Sequence, residues 1–233
     1  MQQFEAGVVM TMKFRDRLDA GRQLASRLAE YADRTDVLVL GLPRGGVPVA
    51  FEVARALSAP LDVFVVRKLG LPHHEELAMG AIAMGGARVL DRALIAQVGV
   101  SDAEIEQVTR REEIELERRQ KQYRGDRPLP DIAGRTVILV DDGLATGSSM
   151  RVAVAALREE HPRKIVVAVP IAPEETCEML RGAADEVVCA LTPEPFYAVG
   201  LWYRDFSQTS DEEVHDLIER SREELVPAPF PRR

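Results

Sequence analysis

Short apolar runs alternate with amphipathic segments along most of the chain. The apolar runs lack the polar alternation of half-exposed strands, which is typical of strands buried on both faces of a parallel sheet. They lie at residues 36–42, 61–67, 137–140, 164–171 and 186–191. Segments with helical spacing lie around them at 16–31, 47–58, 149–160, 174–181 and from 210 onward. This alternation predicts an α/β fold with an open, mostly parallel sheet flanked by helices.

Two segments between residues 69 and 127 interrupt this alternation. Residues 78–83 and 87–90, joined through two glycines, predict a hairpin that projects from the sheet or lies at its edge. Residues 101–124 predict one long helix, because Ser101 and Glu104 form a capping box and Gly125 supplies a stop. Its apolar stripe is weak, and its charge pairs at spacing four favour a solvated or subunit-bridging helix. These pairs are Glu106–Arg110, Glu115–Arg119 and Glu117–Lys121.

The chain is therefore interpreted as one domain, residues 1–233. Its parts are a core at about 36–191, which contains a flap and an inserted helix at about 69–127, and a C-terminal part at about 192–225. Residues 1–12 have no predicted structural role, and residues 226–233 form a proline-rich tail.

Charge and composition argue against several classes of function. The net charge is −8, which disfavours nonspecific binding to nucleic acid or to anionic membranes. No apolar run approaches the length of a membrane span and the first residues do not resemble a signal peptide, so we expect a cytoplasmic protein. Cys177 and Cys189 have no metal-ligand spacing, and we expect them to be buried, reduced thiols.

Residues 137–149 carry the most informative chemistry. An apolar strand ends at Val140 and is followed directly by Asp141 and Asp142, at the sheet edge where open α/β sheets bind ligands. Residues 143–149 can then wrap into a helix beginning near Ser148, with free backbone N–H groups facing a phosphate. Acids beside such a loop suit a phosphoribosyl group. A strand, an acid and a glycine turn also describe many βα junctions without a ligand.

This segment resembles the ribose-5-phosphate-binding signature of type I phosphoribosyltransferases. That signature has four apolar residues, two acids, a short variable stretch and then Thr-Gly-Gly-Thr or a close relative. The difference here is Ser148, where the family usually has its second glycine, so the loop must avoid a positive φ at this position. The resemblance implies a Rossmann-like fold with a ribose-phosphate site formed by Asp141, Asp142, Gly143, Ala145, Thr146, Gly147, Ser148 and Ser149.

A second loop follows the neighbouring strand. Arg44, Gly45 and Gly46 resemble the pyrophosphate loop of the same family, which implies that they bind a diphosphate. Taken alone, this sequence would be a simple tight turn. Arg67 and Lys68 close the next strand, and we expect both cations to point toward the same crevice; the alternative is a surface pair.

Two further segments are assigned through the resemblance. Residues 73–76, with sequence His-His-Glu-Glu, would belong to the mobile flap that covers the substrate. A metal site there is less favoured, because Glu75 and Glu76 point to different sides of an extended chain. Residues 192–206 would form a hood over the acceptor, with Phe196, Trp202 or Tyr203 stacked on a nucleobase. The alternative is a satellite hydrophobic cluster that packs the C-terminal helix.

The resemblance implies Mg²⁺-dependent transfer of a 5-phosphoribosyl group from 5-phosphoribosyl 1-diphosphate to a nitrogenous acceptor, with release of diphosphate. Asp141, Asp142, Lys68 and Arg67 would be the catalytic residues, and Mg²⁺ would be held through substrate and water without a direct protein ligand. The alternatives are a regulatory protein that senses the donor, and a hydrolase or phosphorylase of ribose phosphates. No acceptor signature is recognised in residues 192–206, and a homodimer through the 101–124 helix is a further hypothesis.

Overall fold

A computed structural model describes residues 13–225, so the expectations for residues 1–12 and 226–233 lie outside the described residues. In chain order the elements are α1 (Arg17–Ala25), β1 (Val37–Gly41), α2 (Gly46–Leu57), β2 (Leu61–Val63), β3 (Val66–Leu71), β4 (His74–Ala83), β5 (Arg88–Leu90), α3 (Arg92–Val98), α4 (Asp102–Arg124), β6 (Thr136–Val140), α5 (Ser148–Arg158), β7 (Lys164–Ile171), α6 (Glu174–Arg181), β8 (Glu186–Leu191) and α7 (Asp211–Leu225). Short 3₁₀ helices lie at Ser26–Tyr31 and Val199–Trp202.

The central sheet has five parallel strands in the order β2-β1-β6-β7-β8. Strands β1 and β6 are buried at every position, since helices cover both faces of the sheet. One apolar core lies on the side of α1, α2 and α7, and the other lies on the side of α5 and α6. The predicted α/β fold is confirmed. The carboxyl ends of β1 and β6 lie side by side, because Gly41 pairs with Val140.

The strand predicted at 61–67 is wrong as a single element. Only Leu61–Val63 belongs to the parallel sheet, and the chain then enters β3, which pairs antiparallel with β4. Val63, Phe64 and Val65 are all buried, so no polar residue marks the change from one sheet to the other. Strands β3, β4 and β5 form a separate three-stranded sheet, which contains the predicted 78–90 hairpin.

Helix α4 is confirmed, including its Ser101–Glu104 capping box and the end at Gly125. The helix is not solvated along its whole length, because the end of its last turn is buried against β2. Arg124, with its side chain 1% exposed, donates to both carboxylate oxygens of Asp62 at 2.8 and 2.9 Å and ties the helix to β2. Of the predicted pairs, Glu115–Arg119 forms, whereas Glu106 contacts Arg88 on β5. In residues 13–225, no helix has the length and apolarity needed to cross a membrane.

The expectation of reduced thiols is wrong. The sulfur atoms of Cys177, on α6, and Cys189, on β8, are bonded to each other. The two cysteines are 12 residues apart in sequence, and the turn between α6 and β8 brings them together. The disulfide therefore joins the last strand of the parallel sheet to the helix that packs against it.

Candidate active site

The loop after β6 has the conformation that its sequence predicts. Gly147 has a φ of +68°, and a Cβ atom at this position would lie 2.8 Å from Cγ2 of Thr176. Helix α5 begins at Ser148, which does not adopt a positive φ. The hydroxyl oxygens of Thr146 and Ser148 lie 3.0 Å apart. Residues 145–149 thus combine hydroxyl groups with the N–H groups of a helix N-terminus, as an anion site requires.

The two acids at the end of β6 differ in their partners. Nε of Arg17, on α1, donates to Oδ2 of Asp142 at 2.8 Å, and this arginine is 125 residues away in sequence. The side chains of Arg17 and Asp142 are only 12% and 15% exposed. Burial raises the pKa of Asp142, and the hydrogen bond from Arg17 opposes that rise. Burial and the neighbouring Asp142 carboxylate raise the pKa of Asp141 well above its usual range.

Sequence reasoning missed Arg17, because nothing local to α1 shows that this side chain reaches the site. Besides Asp142, it donates to the carbonyl oxygen of Ser207 at 2.6 Å and lies over the ring of Phe206, 4.0 Å from its centroid. These contacts fix the guanidinium in place. Helix α1 and the segment after the hood therefore meet at the acid pair.

The Arg44-Gly45-Gly46 loop contacts the same acid pair. A Cβ atom on Gly45 would lie 2.1 Å from Oδ2 of Asp142, and one on Gly46 would lie 2.7 Å from the carbonyl oxygen of Val140. The two glycines are therefore required by their close approach to the end of β6. Nη1 of Arg44 lies 3.8 Å from Oδ1 of Asp211, at the start of α7. The structure thus brings the two predicted phosphate loops into direct contact.

Arg67 and Lys68 do not point toward the same crevice. Arg67 donates to Oε2 of Glu112, on α4, at 2.6 and 2.9 Å. Lys68 points to the other face and lines a cavity with Asp141 and Ser149. The expectation of a shared direction is wrong because consecutive residues of a strand, here β3, point to opposite faces. Arg67 holds α4 against the sheet of β3, β4 and β5, called the flap sheet below. Of these two cations, Lys68 is the one that faces the site.

The cavity has a volume of about 200 Å³ and lies at the carboxyl ends of β1 and β6. Its apolar wall comes from Leu42, Phe64, Val65, Val66 and Val152. Its charged groups are Asp141, Lys68 and Arg119, the last from α4. The sequence pattern predicts Arg119 only as the partner of Glu115 on a solvated helix face. Its position in the cavity follows from the packing of α4 against β3, which no local pattern reveals.

Most aromatic residues of the hood form a hydrophobic cluster, whereas Tyr197 is exposed. The buried ring of Tyr203 lies between Phe14 and Phe206, at centroid distances of 5.4 and 5.0 Å, and its hydroxyl donates to the carbonyl oxygen of Asp142. Stacking of Tyr203 on a nucleobase is therefore wrong for this conformation. Phe196 and Trp202 are partly buried and pack against the same cluster. The cluster packs the hood on the N-terminal segment, where Phe14 pairs with Tyr203 in an isolated β-bridge, rather than on α7.

The His-His-Glu-Glu segment lies at the turn between β3 and β4. His74, Glu75 and Glu76 are exposed, and Glu75 accepts a hydrogen bond from Arg111 at 2.9 Å. The described part of the chain contains no group of three or more His, Cys, Asp or Glu side chains arranged to hold a metal ion. The role of this segment as a lid stays a prediction.

An open parallel sheet with acids and a hydroxyl-rich helix N-terminus at one strand end, and a glycine loop at the next, is typical of α/β proteins that bind phosphate-containing ligands. The sequence model of the phosphoribosyl transferase domain matches residues 13–198. The chain belongs to this family.

The chain is similar to two further proteins. A Mycobacterium tuberculosis protein named "Putative phosphoribosyl transferase" is 49% identical over 215 residues, which are 92% of this chain and 48% of the relative. The chain thus spans about half the length of the curated relatives it matches. The crystal structure of TT1426 from Thermus thermophilus is 44% identical, with a TM-score of 0.80, and covers 90% of this chain and 99% of that one.

Proposed function

We propose that the chain transfers a 5-phosphoribosyl group from 5-phosphoribosyl 1-diphosphate to a nitrogenous acceptor such as a nucleobase, with Mg²⁺, and releases diphosphate. The observation that carries this proposal is the contact between the two phosphate loops at Gly45 and Asp142. It sets a sugar-phosphate loop beside a cation-bearing loop at one edge of the sheet. That arrangement suits a ligand with a phosphate at one end and a diphosphate at the other.

The ribose end of the donor fits the loop after β6. The 5-phosphate would accept hydrogen bonds from the N–H groups at the start of α5 and from the hydroxyls of Thr146 and Ser149. The carboxylates of Asp141 and Asp142 would accept hydrogen bonds from the ribose O2 and O3 hydroxyls. Their negative charge would also favour the positive charge that develops on the sugar ring in an oxocarbenium-like transition state.

The chemistry of the site fits Mg²⁺. This ion commonly keeps several waters and binds through one or two carboxylates together with substrate phosphates. The acid pair at the end of β6 would hold the ion indirectly, through water and the ribose hydroxyls, without a direct protein ligand. When bound, Mg²⁺ would neutralise charge on the departing diphosphate.

Transfer breaks the bond between C1 of the ribose and the diphosphate oxygen and forms a bond from C1 to a nitrogen of the acceptor. The diphosphate leaves with the electron pair of the broken bond, and the acceptor nitrogen loses its proton to solvent or to the diphosphate. Lys68 and Arg44 would stabilise the charge on the leaving group. The protein supplies no covalent nucleophile in this scheme, so catalysis depends on alignment and electrostatics.

Calorimetric titration with 5-phosphoribosyl 1-diphosphate and with ribose 5-phosphate, each with and without Mg²⁺, tests the proposal. We expect Mg²⁺-dependent binding of the diphosphate compound. The Arg44→Ala variant should bind it more weakly but keep its affinity for ribose 5-phosphate. Unchanged affinity of Arg44→Ala for the diphosphate compound would instead favour a hydrolase or phosphorylase of ribose phosphates.

A second test separates turnover from sensing. The double variant Asp141→Asn with Asp142→Asn should keep the fold, checked by circular dichroism, and lose diphosphate release in the presence of a panel of nucleobases. Diphosphate release equal to that of the wild type would remove the ribose role of the acids. Donor binding by the wild type without release for any acceptor would favour a regulatory sensor.

A further inference from the structure

Helix α4 places a cation in the active-site cavity. Arg119 lines this cavity together with Lys68, Asp141 and Ser149. Its Nε donates to Oε1 of Glu115 at 2.7 Å, one turn earlier on the helix. Within residues 13–225, the two terminal nitrogens of Arg119 make no hydrogen bond. These two nitrogens are therefore the donors that remain for a ligand in the cavity.

We propose that Arg119 binds the diphosphate of the donor, together with Arg44 and Lys68. This inference rests on the proposed function. A guanidinium presents a planar fork of donors that matches phosphate oxygens in a two-point contact. Arg119 and Lys68 give the lining of the cavity two positive charges, and Asp141 gives it a carboxyl group. A diphosphate therefore lies between the cations, while the ribose faces the acids.

The position of Arg119 is fixed by contacts on either side of it along α4. Arg67, on β3, binds Glu112, which precedes Arg119 by about two turns. Beyond Arg119, the hydroxyl of Tyr123 donates to Oδ1 of Asp211 at 2.9 Å, and Arg124 binds Asp62. The same Asp211 carboxylate lies next to Arg44. Helix α4 is therefore held against the flap sheet, β2 and α7. These contacts fix the backbone position of Arg119 beside the cavity.

Arg118 provides a matched comparison. It also binds Glu115, at 2.8 and 3.0 Å, and its Nη1 donates to Gln122. It does not line the cavity, because consecutive helix residues point about 100° apart. The two arginines share a helix, a charge and a carboxylate partner, and together they lower the pKa of Glu115 to about 2. They differ in whether they face the site.

The test compares Arg119→Ala, Arg119→Lys and Arg118→Ala with the wild type. Calorimetry with Mg²⁺ gives the affinity of each protein for 5-phosphoribosyl 1-diphosphate, inorganic diphosphate and ribose 5-phosphate. Arg119→Ala should weaken both diphosphate ligands by about ten- to a hundredfold, the range for hydrogen bonds to charged groups. Its affinity for ribose 5-phosphate should be unchanged. Arg119→Lys should lose less, and Arg118→Ala should match the wild type.

The outcomes separate the inference from the function it rests on. If the wild type binds the donor and Arg119→Ala binds it equally well, the inference is overturned while the proposed function stands. An equal loss by Arg118→Ala would also overturn it, since a general loss of positive charge would then be the cause. A loss of ribose 5-phosphate affinity by both Arg119 variants would assign Arg119 a structural role and overturn the inference. Failure of the wild type to bind either donor or ribose 5-phosphate removes the proposed function and the inference with it.

Discussion

Two adjacent carboxylates of the site, Asp141 and Asp142, are partly buried, and within residues 13–225 only Asp142 has a cationic partner, Arg17. Oδ1 of Asp141 accepts only the backbone N–H of Asp142 at 2.8 Å. Burial raises the pKa of both groups. A ligand whose hydroxyl groups donate hydrogen bonds to these carboxylates would replace the hydrogen bonds to water that burial removes. The free protein therefore holds its acid pair at a cost in stability.

The Asp141→Asn variant should be more stable than the wild type at pH 8. A carboxyl whose pKa is raised in the folded state holds its proton more tightly there than in the unfolded chain. The free energy of unfolding therefore falls as the pH rises from the pKa of the unfolded state, about 3.9, to that of the folded state. The fall is about 1.4 kcal/mol for each pH unit between these two pKa values. Urea unfolding at pH 3.5 and pH 8 measures this effect. The stability of the variant relative to the wild type should increase with pH. A wild type that is more stable than the variant at pH 8 would contradict the raised pKa of Asp141.

The Arg17→Gln variant should shift the pH dependence of donor binding. Arg17 opposes the rise in the pKa of Asp142, so its loss should raise that pKa further. Asp142 must be ionised to accept hydrogen bonds from the ribose hydroxyls. On acidification, the variant should therefore lose donor binding at a higher pH than the wild type does. Calorimetry across pH 5–8 measures the midpoint. Arg15→Gln is the control, since Arg15 is exposed and pairs with Asp19. An unshifted midpoint in Arg17→Gln would exclude this role.

At the scale of elements, helix α6 supports the ribose-phosphate loop. Oγ1 of Thr176 donates to the carbonyl oxygen of Ala145 at 2.7 Å. The methyl group of the same threonine lies against Gly147, where a Cβ atom would not fit. The disulfide between Cys177 and Cys189 then joins α6 to β8 next to this contact. The phosphate loop is thus held from outside by a neighbouring helix.

The Thr176→Val variant tests this support, because valine keeps the shape of threonine and removes its hydroxyl group. We expect the free energy of unfolding to fall by about 1 kcal/mol and the affinity for ribose 5-phosphate to fall several-fold, through a less ordered loop. Thr109→Val is the control. The Thr109 hydroxyl, on α4, is buried without a hydrogen-bond partner in the described residues, so its removal should leave stability unchanged or increase it. Unchanged ribose 5-phosphate affinity in Thr176→Val would show that the loop needs no such support.

The sequence predicts those parts of the fold and of the site that depend on neighbouring residues. The acids at 141 and 142, the loop to Ser149 and the Arg44-Gly45-Gly46 turn are continuous segments at strand ends, so their position follows from local pattern. The change of sheet near Phe64 is hidden because its residues are apolar and buried throughout. Arg17 and Arg119 reach the site only through the packing of distant helices, and no spacing rule encodes that packing.

At the scale of the whole molecule, α4 connects three parts of the structure. It packs on β3, on α7 and, through Arg124, on β2. The guanidinium of Arg124 also donates to the carbonyl oxygens of Arg127 and Pro128, which shape the return of the chain toward β6. Loss of this buried ion pair should therefore affect the unfolding of the whole domain.

The Arg124→Ala variant should lower the free energy of unfolding by about 3–5 kcal/mol, since it leaves the Asp62 carboxylate without its cation in a largely buried position. Replacing both partners, as in Arg124→Met with Asp62→Leu, should recover much of that loss, because no unpaired charge then remains. Chemical denaturation of both variants measures the difference. A single variant as stable as the wild type would show that α4 is held by its other contacts alone.

The β-bridge between Phe14 and Tyr203 joins positions almost the full described length of the chain apart. Backbone hydrogen bonds on both sides of Phe14, to Trp202 and Arg204, and the contact from Arg17 to Ser207 complete this junction. During synthesis, the sugar-phosphate loop can form as soon as the strands around it have emerged. The arginine that neutralises Asp142 is fixed only when residue 207 has left the ribosome. The contact between Arg17 and Asp142 therefore forms late in synthesis, close to the time when α7 emerges and completes one side of the core.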